Sequence, residues 1–560
     1  MKNIWRVCWF LSAVLLIAFF LLPIAAIFYQ AVAANDSDSV SHLWNTVLFD
    51  YLKNSILLIV GTVLCSLLFA LPCSWVVSTF RFRGQATLQW VLCLPLAMPP
   101  YLVGYLYTDL LDYAGPVQGF LRHLFGWENA LDYWFPSIRT LGGACVVLAL
   151  VLYPYIFLMT RIALMEQSEN LNHGAKILGI NGWQLIKKVT FPLARPAIAT
   201  GTALVAMETL GDFGTVSYFA VPTLTTAVYD TWLGLNDLGT AARISLLMLL
   251  LIFLLLSVER HGRRKQKLYQ RGYERQQPMR RLCGWRLWLA QSYCWGLVTF
   301  AFFIPLAKLL YWSYHYFEQS WNDKFWLYAY NSLRVSVIAA LISVLLALIL
   351  LFFRRLQQQP KGAGYYLARY GLPFSSLGYA VPGTVLAIGL MIPLIGADHL
   401  LNNLLKSLEL PLIGLFFSGS MFALVIAYII RFSAMSIGSI GTSLDKIAPS
   451  LDMAARTLGY NSQKMLCRVH FPLLGKGMLT ALLLVFLESM KELNASLLLR
   501  PFNFDTLATH VFTLTSDEQL EQASLSAVFL VLVGLLPVIF LTRSLLSSTQ
   551  KASSTLAEKS

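Results

Sequence analysis

Gly174-Ala175-Lys-Ile-Leu178-Gly179, with Val189-Thr-Phe191-Pro192-Leu193 beginning ten residues past the last glycine, returns later as Ala454-Ala455-Arg-Thr-Leu458-Gly459 and Val469-His-Phe471-Pro472-Leu473. Glycines and prolines obey one shift of 280 residues (459 − 179 and 472 − 192). A lone Phe-Pro carries no information. The two-part pattern, found twice at one shift in two apolar halves, reads as two homologous lobes that each carry one copy of the same element.

Working outward, the chain is 57% hydrophobic and 12% charged over 560 residues. A soluble protein would be about a quarter charged. Apolar runs near the roughly 20 residues a helix needs to cross the hydrocarbon core recur about six times per half. In the first half they lie at 9–31, 54–78, 87–108, 142–164, 196–219 and 241–258. In the second they lie at 288–313, 332–353, 371–395, 412–437, 477–499 and 524–541. The expected fold is an all-α polytopic membrane protein, about twelve transmembrane helices in two homologous six-helix lobes. The expected division is a first lobe 1–259, a basic cytoplasmic linker 260–286, a second lobe 287–546 and a disordered tail 547–560.

A net charge of +14 raises nucleic acid as a partner, but the basic residues cluster in alternate loops, which is the orientation signal of inner-membrane proteins. Lys187, Lys188, Arg354, Arg355, Lys464 and Arg468 sit on one side, and Asp109, Asp112, Asp230, Asp237, Asp517 and Glu518 on the other. Both termini and both motif copies are then cytoplasmic, and no nucleic acid is expected. The linker, dense in Arg and Lys from Arg263 to Arg281, reads as a segment held near anionic headgroups, with a regulatory or nucleic-acid role as the alternative. Met1–Ala34 could pass for a signal peptide, but its Leu22-Pro23-Ile24 is echoed by Ile304-Pro305-Leu306 in mid-chain, so it reads as a retained span. The eight cysteines avoid the acidic loops and show no zinc spacing, so neither disulfides nor a metal site is expected.

Each motif copy, near 166–195 and 445–475, reads as a short helix, a glycine turn and a second helix. Glycine at the first helix's end permits the left-handed conformation that reverses the chain. Ala175 and Ala455 have little side chain, so a helix there could seat deep in a partner's groove. Phe191-Pro192 and Phe471-Pro472 would end the second helix and set its angle to the next span. The bland alternative is a pair of ordinary cytoplasmic hairpins.

These residues resemble the coupling loop, or EAA motif, of permeases in binding-protein-dependent ABC importers. The resemblance implies the type I importer permease fold and a loop that sits in a cleft on a cytoplasmic ATPase and transmits nucleotide-driven closure to the transmembrane gate. Its glycine maps to Gly179 and Gly459, its second alanine to Ala175 and Ala455. Its acid would be His173 or Met453, with Asp452 one place away. The chain contains no Gly-x4-Gly-Lys-Ser/Thr, so it needs no cofactor of its own; ATP and Mg would belong to two copies of a separate ATPase subunit.

The fifth span carries Glu208 and Asp212, the eleventh Glu488, Lys491 and Glu492, again at the shift of 280 (488 − 208 and 492 − 212). Spacing of four places each acid pair on one helix face. An acid at mid-membrane costs roughly 2.5–3.5 kcal/mol on insertion scales, so these face an interface or a wet cavity. They read either as pinned structural charges or as a translocation path for a cationic cargo, for which oxygen ligands suit a hard ion. Glu208-Thr-Leu-Gly-Asp-Phe-Gly-Thr and Lys491-Glu-Leu-Asn-Ala-Ser, with Arg500-Pro-Phe-Asn-Phe-Asp505 beyond, resemble the fused permeases of ferric-iron importers over essentially the whole chain. That implies delivery of Fe(III) by a periplasmic binding protein, although thiamine and aminoethylphosphonate permeases share the fused layout. Arg500 and Asp505 either meet that donor or pair with each other. The histidines read as solvated or capping. A proton-driven secondary carrier, which would have no use for docking loops, and a membrane enzyme, for which no catalytic constellation is found, are the readings from other classes.

Overall fold

Without water in the hydrocarbon core every backbone donor must be satisfied inside its own segment, so apolar runs of this length become helices. The computed structural model describes residues 2–33, 46–165, 167, 175, 177–180, 182–264, 280–357 and 362–557. Among them eleven helices are long and apolar enough to cross a membrane, or twelve if one bent pair is counted as a span. That pair corrects the sequence reading at the third span, expected as one helix over 87–108. Gln85–Ala97 and Pro100–Phe125 meet at 90° around Met98-Pro99-Pro100, because consecutive prolines remove two amide donors and force the preceding residues out of the helical region.

The residues fall into two compact units, one of Thr46–Thr226, Leu250–Ser320 and Leu514–Ser560, the other of Met1–Asn45, Ala227–Leu249 and Trp321–Thr513. These are not the two sequence halves. In the first unit Leu48–Thr79, Leu141–Met165 and Phe191–Gly211 pack on one another. A Cβ added at Gly201 would lie 2.8 Å from the Ile156 Cα, the close backbone approach that small residues allow between membrane helices. The span that packs beside them is Trp285–His315, from the second half of the sequence. In the second unit Asp323–Leu356, Met421–Asp445 and Phe471–Lys491 repeat the arrangement, and Lys2–Ala33 lies along Gly383–Ser407. There the Pro23 carbonyl packs close against the Gly389 Cα; an added Cβ would stand 2.5 Å from that oxygen. The halves 1–259 and 287–546 are therefore units of repetition, and each unit of packing takes from the other half its first span and all or part of its last.

Two further details depart from expectation. Phe80–Arg81 and Arg280–Arg281 form a two-residue parallel ribbon, an exception to the all-helical reading at the end of the basic linker, most of which lies outside the described residues. The last helix runs Leu520–Ala557, so the tail expected to lack order from residue 547 continues a helix already nucleated, where adding a residue costs far less than starting one.

Candidate coupling loops and intramembrane acids

The second loop begins with the Pro449–Thr457 helix, whose Pro449 sits in the first turn, where its missing N–H is no loss. The helix closes with paired bonds: the Gly459 N–H donates to the Arg456 carbonyl at 3.0 Å and the Tyr460 N–H to the Ala455 carbonyl at 3.0 Å. That is the Schellman closure, and Gly459 stands at φ +79°, where a side chain would be strained. Asn461 then caps Ser462–Met465 by accepting the Lys464 N–H at 2.8 Å. The first loop shows the same closure: Gly179 also has φ +79°, and the Ile180 N–H reaches the Ala175 carbonyl at 2.9 Å. The rest of its first helix, His173 included, lies outside the described residues.

Both alanines point the other way from the sequence reading. Ala175 and Ala455 are buried in their own units, Ala455 against Phe352 and Met465. The outward side chains stand next to them: Ile177 and Leu178 are 86% and 80% exposed, Met453 and Leu458 61% and 74%. The small residue lets the loop lie down on its own unit, and the large apolar neighbours form the free face.

The Phe-Pro pairs are corrected too. Neither ends a helix: Ile186–Gly211 and Ser462–Lys491 run on as single long elements. The turn before each pair, Ile186–Thr190 and Leu466–His470, is wound as π-helix, with Phe191 donating to the Ile186 carbonyl and Phe471 to that of Leu466. A π turn shifts the bonding register by one residue, which absorbs the amide that Pro192 and Pro472 lack.

Asp452 is turned inward. It is 2% exposed, accepts from Arg355 Nε at 2.6 Å and pairs with His470 Nε2 at 2.8 Å, while Arg355 Nη2 donates to the Ile447 carbonyl at 2.8 Å. Burial works against its ionisation, but the hydrogen bonds from Arg355 and His470 outweigh it, and the carboxyl is held below its ordinary value of 3.8. His470, read from sequence as solvated or capping, is fully buried. Neither Arg355 nor His470 was picked out as a partner of Asp452, because 97 and 18 residues of chain separate them from it.

The acids sit at helix breaks. The spacing of four suggests one face of one helix, but Phe191–Gly211 ends before Asp212 and Phe471–Lys491 before Glu492, and both residues are extended (ψ 129° and 115°). Each caps the short helix that follows. Asp212 Oδ1 accepts the Thr215 N–H at 3.0 Å and Oδ2 the Thr215 hydroxyl at 3.1 Å; Glu492 Oε1 accepts the Ala495 N–H at 3.0 Å. The lobes then diverge. Glu492 also faces the buried Arg431 (3.3 Å), while position 151, at the shift of 280 from Arg431, is a buried valine. Glu488 pairs with Lys491 at 3.0 Å, and Glu208 is half-buried one turn before Asp212. Arg431 was missed, although an arginine in mid-span was signal enough.

Glu492→Leu removes the carboxylate facing Arg431 and should cost ~3–5 kcal/mol, the penalty for stranding a buried charge. Asp212→Asn keeps an acceptor for the Thr215 N–H and turns its amide N–H toward the Thr215 hydroxyl, which can accept, and should cost only ~1 kcal/mol. Thermal unfolding of the purified variants in detergent reads the difference, and equal midpoints would remove the asymmetry.

The asparagine–serine echo also acquires a role. Asn54 Nδ2 donates to the Pro222 carbonyl at 3.1 Å and Ser55 Oγ accepts the Leu224 N–H at 2.9 Å. In the other unit Asn331 Nδ2 donates to the Asp505 carbonyl at 3.1 Å and Ser332 Oγ accepts the Leu507 N–H at 2.7 Å. Each pair fastens the segment beyond the acid to the second span of its lobe. Arg500 and Asp505 are ion-paired.

A family model described as the binding-protein-dependent transport system inner membrane component matches residues 53–267. The molybdenum transport system permease protein ModB of Escherichia coli is 31% identical over 31% of this chain and 71% of its own length. The chain belongs to that permease family. It is also similar to the Fe(3+)-transport system permease protein FbpB 2 of Haemophilus influenzae, 26% identical over 93% of this chain and 95% of the relative. The sulfate transport system permease protein CysW of Escherichia coli is 28% identical over 37% of the chain and 70% of its own length. This permease is thus a multi-pass inner-membrane subunit of an ABC importer, a transport component rather than an enzyme, and its family implies an ABC ATPase and a periplasmic binding protein as partners.

Proposed function

We propose that this permease imports ferric iron, received from a periplasmic iron-binding protein and released into the cytoplasm. The observation that carries the reading is the end-to-end similarity to FbpB 2, supported by a second relative, a putative ferric transport system permease, 25% identical over 87% of the chain. The sulfate and molybdenum relatives match only single-lobe lengths. Hydrolysis falls to two copies of a cytoplasmic ATPase, one on each loop, whose exposed Ile177, Leu178, Met453 and Leu458 offer it an apolar face. Both termini lie on that same side. Glu208, Asp212, Glu488 and Glu492 line or brace the path between the gates.

A strain lacking the chromosomal copy should recover growth on limiting ferric iron when this chain is restored with its ATPase and binding protein. Recovery on limiting thiamine instead, or on neither, would overturn the ferric reading.

A further inference from the structure

Beneath the first coupling loop lies a cavity of about 870 Å³, near the upper end of the roughly 300–1,000 Å³ of small-molecule sites. Its walls come from the end of Leu48–Thr79 (Trp75, Thr79), from the loop's second helix (Leu185, Ile186) and from the start of Trp285–Val298 (Trp285, Leu289). Trp285 is 71% and Leu289 62% exposed, so the cavity opens outward and is not a sealed void.

The repeat explains why the space is there. The shift of 277 between Asn54 and Asn331 pairs Trp75 with Phe352 and Ser78 with Arg355; the shift of 280 pairs Leu185 with Met465 and Thr190 with His470. Under the second loop those counterparts close on one another. Phe352 and Met465 are buried in one cluster with Ala455, Trp9 meets Phe352 edge-to-face at 5.2 Å, and Arg355 and His470 both reach Asp452. Under the first loop the arginine and histidine are replaced by Ser78 and Thr190, and both line the cavity. Trp75 turns to Phe80, edge-to-face at 5.1 Å. The counterpart of Trp9, at the shift of 282 between Pro23 and Pro305, is Gln291, which donates to the Arg83 carbonyl at 2.8 Å. The volume that side chains fill under one loop therefore stands open under the other.

The chemistry of the walls selects what can enter. The interior is apolar and aromatic, and Arg286 carries the one charge among the described lining residues; Glu166 lies outside the described residues. More cations flank it. Arg81 and Arg281 sit on the short ribbon next to Phe80 and Leu282, which line the cavity, and Lys187 and Lys188 follow Ile186. All five cations are exposed, and none is ion-paired among the described residues. Trp75, Trp285 and Tyr293 beside arginines at the ends of spans are the composition of a headgroup-level boundary.

We propose that this cavity binds an anionic phospholipid of the cytoplasmic leaflet, its acyl chain against Trp75, Leu185 and Leu289 and its headgroup on Arg286 with Arg281 and Arg81. Basic pockets between membrane helices on that side are where anionic headgroups are held. A free phosphate would leave the apolar walls wet, and a lipid without net charge would leave the cations uncompensated. The bound chain does for the first loop what Trp9 and Phe352 do for the second: it gives Leu185 and Ile186 an apolar surface to rest on. The inference rests on the cytoplasmic placement of the loops and is independent of the cargo.

The test uses the full chain in lipid nanodiscs carrying phosphatidylglycerol or phosphatidylcholine with a diazirine in one acyl chain, photolysed and mapped by peptide mass spectrometry. Phosphatidylglycerol should label the segments 182–190 and 285–293 about tenfold more than phosphatidylcholine. Leu64, exposed on Leu48–Thr79, should take both alike. The Arg281→Gln/Arg286→Gln variant should erase most of the difference. Leu289→Trp, which fills the mouth, should lower cavity labelling by either lipid and leave Leu64 unchanged. Excess inorganic phosphate should not compete. Equal labelling by the two lipids, a preference unchanged in the double variant, competition by phosphate, or no label in either segment overturns the site. Amide exchange over 182–190 should slow when phosphatidylglycerol replaces phosphatidylcholine; an unchanged rate overturns the support given to the loop.

Discussion

Gly459→Val is expected to stop coupled uptake while the chain still assembles in the membrane and its ATPase still hydrolyses ATP. The same holds for Gly179→Val, because both glycines stand at φ +79°. A β-branched residue in the left-handed region is a genuine outlier, at roughly 1–2 kcal/mol for the backbone alone. No atom of the described residues lies within 4 Å of a Cβ built at either position, so the penalty comes from the chain's conformation and not from a collision. That cost converts to a roughly 5–30-fold fall in the population of the closed turn. Gly→Asn, which tolerates the conformation best among side-chain residues, should keep most activity and Gly→Ala an intermediate amount. Vesicle uptake measured beside phosphate release checks the order Gly, Asn, Ala, Val. Full uptake in both valine variants would mean that the turns transmit nothing.

Arg355→Ala should damage the second loop more than any exposed charge in it. Arg355 and Asp452 are 12% and 3% exposed at their side chains, and stranding one member of such a pair costs ~3–5 kcal/mol. Asp452→Ala should do similar harm, and the double variant should be less than additive because the pair is then absent on both sides. Arg354, whose partner Asp445 is largely exposed, provides the contrast at ~0–1 kcal/mol. The first loop offers no matching cluster: by the repeat shifts its positions are Ser78, Asn172 and Thr190. The variants should therefore weaken ATPase engagement at one loop and leave the other intact, which cross-linking from Leu458 and from Leu178 can separate.

The pH dependence has a fixed sign. A carboxyl held below its ordinary 3.8 contributes its full stabilisation above that value and loses it as pH falls through the lower folded-state value. Amide exchange over 449–470 should stay slow from pH 5 to about pH 4 and accelerate below. Asp452→Asn should remove that acid transition.

Much of this was legible in the residues. Hydrophobic runs dictate spans because a bilayer offers the backbone no other partner, so eleven of the twelve expected spans each contain a long apolar helix. Three of those helices cover only part of the expected run: the fifth and eleventh stop before Asp212 and Glu492, and the ninth, expected over 371–395, begins at Gly383 after the tighter Leu372–Ala380 turn. The Gly179 and Gly459 turns were readable because only one residue type enters φ +79° freely. The third span misled because hydropathy does not register Pro99-Pro100 as a corner. Ala175 and Ala455 misled because a small side chain permits close approach without saying to what.

The sequence by itself determined the helices, their duplication, the turn glycines and the family, all of which depend on local periodicity or on one fixed shift. Tertiary structure alone decided that Lys2–Ala33 packs with Trp321–Thr513, that Asp452 meets Arg355 and His470, and that Glu492 faces Arg431 while Asp212 pairs with no basic side chain among the described residues. Those pairings join residues tens to hundreds of positions apart. The residues that burial forces together are chosen by packing, and packing leaves no period in the chain.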